Sequence, residues 1–351
     1  MTTNGTIGIG LVGFGLAGRC FHSPFFAPAG FAFRACATSQ PAELASAFPG
    51  VDAVATPQAL FARDDVDLVV IASPNATHAP LARAALDAGK HVLVDKPFTL
   101  DVGTADALIA LARDRGLLLA AYHNRRFDGD FQLLRHEVEA GRLGRVLSFE
   151  SRIDRFKAAG LRGWRSEATA AGSGLLYDLG PHLIDQMLVL LGPPQWLFAD
   201  LATDVEGGGV DDAFCLRCGG DGWRATLLAR TMAADHTLRF EVHGERGSLV
   251  KTGFDAQEAA VRLGTSPLEP GFGVEASQHA ARFTPADGGP ARLLTAPPGR
   301  WLSFYEAMHA AIATGAPPPV TPDEARAVVA IIDAARESDA TGRRVALHRW
   351  G

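Results

Sequence analysis

Residues 7–18 read I-G-I-G-L-V-G-F-G-L-A-G, and the last six, Gly13-Phe14-Gly15-Leu16-Ala17-Gly18, decide the fold. An apolar run, Thr6 to Val12, leads straight into this G-x-G-x-x-G, which opens a stretch read as a helix, Ala17 to Ala27. That strand-turn-helix context gives the pattern its meaning. Glycines there let the backbone turn tightly and approach a pyrophosphate, whose charge is stabilised by the exposed N–H groups that open the helix. The six residues are candidate dinucleotide-binding positions. A glycine-rich turn with no ligand is the alternative, and the βα units that continue beyond it weigh against that.

Working outward, short β-branched runs alternate with Ala/Leu-rich amphipathic stretches, the pattern of βαβ units around a parallel sheet. Strands are expected at Thr6 to Val12, Phe33 to Ala37, Leu68 to Ala72, His91 to Val94 and Leu117 to Tyr122. Helices are expected at Ala17 to Ala27, Pro41 to Phe48, His78 to Ala88 and Val102 to Arg115, with Gly89 and Gly116 as C-terminal caps. After about Tyr122 the rhythm changes. A helix at Phe131 to Glu139 leads to a long strand, Val146 to Arg155, and a Gly-rich approach to a helix ending near Leu191. Four strands then follow without helices between them (Trp196 to Val205, Asp212 to Cys218, Trp223 to Met232, His236 to His243), which implies an antiparallel sheet. Gly264 to Arg300 reads as a loop or arm, and two helices, Trp301 to Thr314 and Pro322 to Thr341, close the chain. The expected architecture is an α/β Rossmann domain, a doubly wound parallel sheet over residues 1–124. An α+β domain with a large, mainly antiparallel sheet occupies 125–351, and its last helix is able to pack back on the first domain.

The chain has 351 residues, 33 basic and 39 acidic, for a net charge of −6, and 47% hydrophobic content suits two sizeable cores. With no basic block it lacks the footprint of a nucleic-acid binder. Four cysteines, Cys20, Cys36, Cys215 and Cys218, make no disulfide framework and fit a reducing cytoplasm. Cys215 and Cys218 form a lone C-x-x-C within a strand-like run, too few ligands for a closed metal site, so no metal is expected. No Lys or Arg precedes the apolar N-terminus, and no apolar run reaches the roughly 18 residues of a membrane helix. The expectation is a soluble cytoplasmic protein.

An acid about 20 residues past the glycines would bind the ribose hydroxyls of NAD. That position is Thr38, followed by Ser39 and Gln40, with no carboxylate. Hydroxyls can bond a 2′-phosphate that an acid would repel, so NADP is expected ahead of NAD; alternatively Thr38 and Ser39 only shape the turn before Pro41. Ser73-Pro74-Asn75 ends the Leu68 strand, where open α/β sheets place their ligands, which makes Pro74, Asn75 and His78 cofactor candidates. Asn75 or Thr77 could equally cap the next helix.

Asp95-Lys96-Pro97 ends the His91 strand, so the Lys96 ammonium projects at the sheet's carboxyl edge. There it can stabilise a developing alkoxide. A second constellation runs from Gly172 to Asp185, G-S-G-L-L-Y-D-L-G-P-H-L-I-D. Pro181 suits the first turn of a helix, Asp178 and His182 lie one turn apart, and histidine can accept a hydroxyl proton near neutrality. Asp185 reads as a first-turn acid favoured by the helix dipole.

The glycine loop, then D-K-P, then this G-x-G-x-x-x-D-x-G-x-H-x-x-D in an α+β domain resembles the Gfo/Idh/MocA family of oxidoreductases over nearly the whole chain. In that family the second motif usually begins E-K-P; here Asp95 replaces the glutamate. The resemblance implies that Lys96, Asp178 and His182 are catalytic and that Asp95 and Lys96 lie near the cofactor. F-H-S-P (Phe21 to Pro24), H-N-R-R-F-D-x-D-F (His123 to Phe131), D-R-F (Asp154 to Phe156), W-R-S-E (Trp164 to Glu167) and Y-D-L-G-P-H-L-I-D-Q look like the branch containing NADP-dependent scyllo-inositol 2-dehydrogenases. This implies oxidation of a cyclitol or sugar hydroxyl, or the reverse. Asn124, Arg125, Arg155 and Trp164 then supply the donors and apolar face that a polyol requires. Against that, Arg125 or Arg126 could pair with Asp128 or Asp130, and Trp164 could be core. The same motifs look like those of NAD-dependent glycosidases and of non-catalytic sugar sensors, and the resemblance suggests a homodimer or homotetramer formed through the second sheet.

Overall fold

Strands of a parallel sheet are buried on both faces, so they require near-continuous apolar runs, and the first 121 residues supply them. The structure is a computed structural model that describes residues 6–347. In chain order its first elements are β1 (Gly8–Val12), β2 (Ala32–Ala37), α1 (Pro41–Ala47), β3 (Asp52–Val54), α2 (Pro57–Phe61), β4 (Leu68–Ile71), α3 (His78–Asp87), β5 (His91–Val94), α4 (Val102–Arg115) and β6 (Leu119–Ala121). The six strands form one parallel sheet in the order β3-β2-β1-β4-β5-β6. The order reverses between β1 and β4, and the carboxyl edge beside that reversal is where such sheets bind ligands. Helix α4 shows why its limits were legible. Asp101 accepts the Thr104 N–H at its start, and Gly116 closes it in the left-handed conformation.

Two elements here were not expected, β3 and α2. The stretch after the glycine loop also differs from the α-helix expected over Ala17 to Ala27. It is a π turn, Ala17–His22, in which the Ser23 N–H reaches back to Gly18 O, followed by a 3₁₀ turn at Ser23–Phe25. Pro24 has no N–H to continue an α-helical ladder.

The remaining elements are α5 (Gly129–Glu139), β7 (Val146–Asp154), α6 (Leu175–Leu191), β8 (Trp196–Ala202), β9 (Ala213–Gly220), β10 (Trp223–Arg230), β11 (Leu238–Gly244), β12 (Gly247–Thr252), α7 (Gln257–Arg262), β13 (Ala281–Pro285), β14 (Arg292–Leu294), α8 (Leu302–Thr314), α9 (Pro322–Thr341) and β15 (Val345–Ala346). Nine strands form a second sheet, β14-β13-β12-β11-β7-β10-β9-β8-β15. Every neighbouring pair is antiparallel except β7 and β10, which run parallel. The stretch expected as a loop, Gly264 to Arg300, contains β13 and β14, and β12 was also missed.

Cross-strand partners share a face. Leu197, Cys218, Ala225, Phe149 and Val242 lie in one register row and are all buried. Cys218 Sγ donates to Met187 Sδ of α6 at 3.2 Å, so this is the face that α6 covers. One residue along, Phe198, Arg217, Thr226, Glu150 and Glu241 face the other way, and none of them is buried.

The chain divides into two units. One comprises the chain through Asn124 with Gln257–Phe272 and Arg300–Arg326, and the other comprises Arg125–Ala256, Gly273–Gly299 and the chain from Ala327. Segments 257–272 and 300–326, expected in the second domain, therefore belong to the first unit. Among the described residues no helix is long and apolar enough to cross a membrane.

Candidate active site

Gly13, Gly15 and Gly18 each need to be glycine for a different reason. Gly13 has φ +96°, and a Cβ there would stand 2.7 Å from Ala72 O. At Gly18 a Cβ would sit 2.0 Å from Gly13 O, so the turn can only close on a glycine. Around Gly15, by contrast, nothing lies within 4 Å of the added carbon. Two glycines shape the turn and the third keeps the space before it open, which is the cradle a pyrophosphate requires. Phe14 is buried with its ring edge-on to Phe48, while Leu16 is exposed at the loop's surface. The loop thus fits a dinucleotide.

Three further strand ends lie along the same edge. Thr38 follows β2, and its Oγ1 accepts the Gln40 N–H at 2.9 Å, the turn-shaping contact, while Ser39 is exposed. After β4, Pro74 leads into a 3₁₀ turn that begins at Asn75, which is buried. His78 is also buried, and its Nδ1 and Nε2 lie 2.8 Å from Pro97 O and 2.9 Å from Ser73 O. Both nitrogens face backbone carbonyls, of which a neutral ring can donate to one, so His78 is packed within the loops of this edge. Burial, only partly offset by those carbonyls and by the Asp95 charge, pulls its pKa down. After β5, Asp95 Oδ1 accepts the Lys96 N–H at 2.8 Å, and the Lys96–Pro97 bond is cis. The first and last of these strand ends, at β2 and β5, are three strand spacings apart, roughly 14 Å.

In the second unit α6 carries the other expected residues. It starts at Leu175, so Pro181 lies inside the helix and not in its first turn. Asp178 and His182, four residues apart within one helix, lie on one face. His182 is buried, and its Nδ1 is fully enclosed. Asp178 Oδ1 lies 3.4 Å from Arg165 Nε, and the Arg165 guanidinium covers the half-buried Trp164 ring at 4.6 Å. Arg155 is half-buried, with its N–H donated to Arg230 O at 2.8 Å.

The start of α6 is held by Asp211. Its backbone oxygen accepts the Leu175 N–H at 2.8 Å and its Oδ2 the Leu176 N–H at 2.7 Å. Gly174 permits this: its φ is +93°, and a Cβ there would lie 2.1 Å from Asp211 Oδ1. Burial pushes the Asp211 carboxyl up to about 6.

The H-N-R-R-F-D-x-D-F stretch is mostly scaffold. Asn124 is buried, and Arg125 Nη1 donates to Asp128 Oδ2 at 3.1 Å, the pairing that was the alternative to substrate contact. Arg126 grips Asp185 through Nε and Nη2 at 2.9 and 2.7 Å, so Asp185 is a buried ion-pair partner deep in α6 and not a first-turn acid. Next to it, Gln186 donates to Arg125 O at 2.8 Å and accepts from the buried Arg239 at 2.6 Å. These bonds fix the register of the helix that carries His182.

The chain matches the description "Oxidoreductase family, NAD-binding Rossmann fold" over residues 7–123 and "GFO/IDH/MocA C-terminal domain" over residues 131–250. It belongs to the Gfo/Idh/MocA oxidoreductase family. It is 37% identical to the oxidoreductase YdgJ of Escherichia coli, over 95% of this chain and 96% of that one. It is 31% identical to the NADP-dependent scyllo-inositol 2-dehydrogenase IolW of Bacillus subtilis, over 97% and 96%. The solved structure of the oxidoreductase yvaA from Bacillus subtilis matches with a TM-score of 0.95 at 30% identity, covering 99% of this chain and 100% of that chain. As a Gfo/Idh/MocA member the protein is an NAD(P)-dependent oxidoreductase whose first unit is a Rossmann fold. In this Gfo/Idh/MocA oxidoreductase two contacts escaped sequence reasoning. Arg165 beside Asp178 was hidden because no spacing rule links residues thirteen apart across a loop. Asp211 was hidden because its role as a cap is set by tertiary contact.

Proposed function

We propose that the enzyme catalyses reversible, NADP-linked oxidation of a secondary hydroxyl on a cyclitol or related sugar. The observation that carries the reading is the pair on α6, Asp178 and His182 one turn apart with His182 Nδ1 enclosed. A histidine so held can take a hydroxyl proton at Nε2 and return it in the reverse direction. Asp178 orients that exchange or anchors a neighbouring hydroxyl, and Lys96 stabilises the oxygen as negative charge develops on it. Gly13 to Gly18 would hold the pyrophosphate, Thr38 and Ser39 the adenosine ribose with its 2′-phosphate, and Asn75 and Asp95 the nicotinamide half. The bound nicotinamide would supply the hydride acceptor. Arg155, Trp164 and Arg165 suit a ring of hydroxyls, with donors beside an apolar face.

The similarity to a scyllo-inositol 2-dehydrogenase over nearly the full chain supports the cyclitol. The absence of a carboxylate at the end of β2 supports NADP. The test is NADPH formation, followed by absorbance, with inositol isomers, pentoses and hexoses. Net reduction of NADP by a free cyclitol is expected; cofactor that cycles without net reduction would point instead to a glycosidase. The sheet face bearing Phe198, Arg217 and Glu150 carries both signs of charge and suits self-association into a homodimer or homotetramer.

A further inference from the structure

Behind the Asp95–Lys96 turn lies a set of buried polar side chains that the proposed reaction leaves without a role. The π turn Ala17–His22 ends on His22, which is fully buried. Its Nδ1 lies 2.5 Å from the hydroxyl of Tyr305, another fully buried residue. Its Nε2 faces Asp95 Oδ2 at 3.8 Å, a charge-to-ring contact longer than a hydrogen bond. The other carboxylate oxygen, Asp95 Oδ1, accepts the Lys96 N–H. Packing fixes the plane of the imidazole, and the contact with Tyr305 sets which edge faces the phenol. The imidazole centroid is 4.2 Å from that of Tyr122, whose hydroxyl donates to Phe21 O at 2.6 Å, and Phe25 stacks parallel to Tyr305.

The chemistry then selects the tautomer. Burial pushes the Tyr305 phenol well above its ordinary range, so it keeps its proton and can donate it to Nδ1. The ring proton then sits on Nε2, toward Asp95. The opposite tautomer would set a nitrogen lone pair against the carboxylate and leave the phenol proton without this acceptor. Burial alone would raise the Asp95 carboxyl, yet His22 beside it brings it below the usual carboxylate range.

We propose that Tyr305, His22 and Asp95 form a positioning relay for Lys96, in which the His22 Nε2–H, 3.8 Å from Oδ2 and so acting by charge attraction and not by a hydrogen bond, biases the Asp95 carboxylate toward the rotamer that accepts the Lys96 N–H. The relay moves no proton; it fixes the turn from which the Lys96 side chain projects. The inference rests on the reading of Lys96 as the group that stabilises the substrate oxygen. It gives the π turn a purpose, since the turn ends with His22 buried inside the domain.

Two measurements test it. Two-bond proton–nitrogen-15 correlation spectra of the free protein at about pH 8.5, above the ordinary imidazole range, read the tautomer, with the His22 ring assigned by its loss in His22→Gln. A proton on Nε2 is expected; a proton on Nδ1 overturns the relay. Steady-state kinetics with scyllo-inositol and NADP form the second arm. Tyr305→Phe, which removes a single oxygen, should lower kcat about tenfold and leave KM for NADP within about threefold. His22→Gln, whose amide N–H reaches the Nε2 position, should retain more kcat than His22→Phe. Should His22→Phe fail to fold, Tyr305→Phe decides, and wild-type kcat in Tyr305→Phe overturns the proposal. The spectra need no turnover, so a wild-type enzyme inert toward scyllo-inositol would count against the proposed activity while the tautomer still decides the relay.

Discussion

Gly15 is the residue at which the fold and its ligand can be separated. Because nothing lies within 4 Å of a Cβ built there, Gly15→Ala should melt like the wild type, while the Kd for NADP rises about tenfold or more as the methyl enters the pyrophosphate's space. A calorimetric titration beside a thermal melt checks both, and wild-type affinity would remove the dinucleotide from this loop. Lys96 and His182 make the complementary case. Lys96→Ala and His182→Ala should each lower kcat by about 10²–10⁴-fold with NADP affinity largely kept, read by steady-state kinetics and the same titration. All of these residues were legible in the sequence, because glycine, lysine and histidine at strand ends and on helices bring their chemistry with them. Arg165 and Tyr305 were not, since a guanidinium or phenol declares a role only when the fold sets it against Asp178 or His22.

Helix α6 is the element on which the proposed chemistry depends most, and its start carries a titratable cap. The Asp211 carboxyl, at about 6 in the folded protein, sits above its unfolded value, so folding favours its protonated form. The stability this contributes is complete below the unfolded pKa and is lost as pH rises through 6. Asp211→Asn keeps an oxygen for the Leu176 N–H but cannot titrate. Between about pH 4 and pH 7 the wild type should therefore lose on the order of 2 kcal/mol relative to the variant in urea melts; a constant difference would mean that the carboxylate is ionised throughout. Farther along, Asp185→Ala leaves the Arg126 guanidinium, whose side chain is only 12% exposed, without this carboxylate and should cost about 3 kcal/mol by the same melts. The helix, and the Asp178–His182 pair proposed to react, were legible in the sequence, but Pro181 was expected in the first turn, where proline is ordinarily at ease, and lies inside the helix. The cap, Asp211, stands 35 residues from the Leu176 N–H that its carboxylate accepts, a separation only folding closes. Strands β3 and β14 were missed because they are three residues long and largely exposed, and β13 because its two buried residues, Ala281 and Phe283, are too few to stand out from the Pro- and Gly-rich sequence around them.

For the whole molecule, the sequence rhythm gave both sheets their class, since βα alternation and consecutive strands require different connections. It could not show that segments 257–272 and 300–326 return to the first unit, because their apolar residues look the same whichever core they enter. Nor does periodicity reveal that β7 and β10 pair in parallel within an otherwise antiparallel sheet. The outward face of that sheet, with Phe198, Arg217 and Glu150 in one row, leads us to expect a mass of two or four chains by light scattering, and a monomer would contradict the proposed association. The central claim is tested most directly by kcat/KM for scyllo-inositol oxidation measured with NADP and with NAD. The account predicts net cofactor reduction and a clear preference for NADP; no turnover of any cyclitol, or a clear preference for NAD, would contradict it.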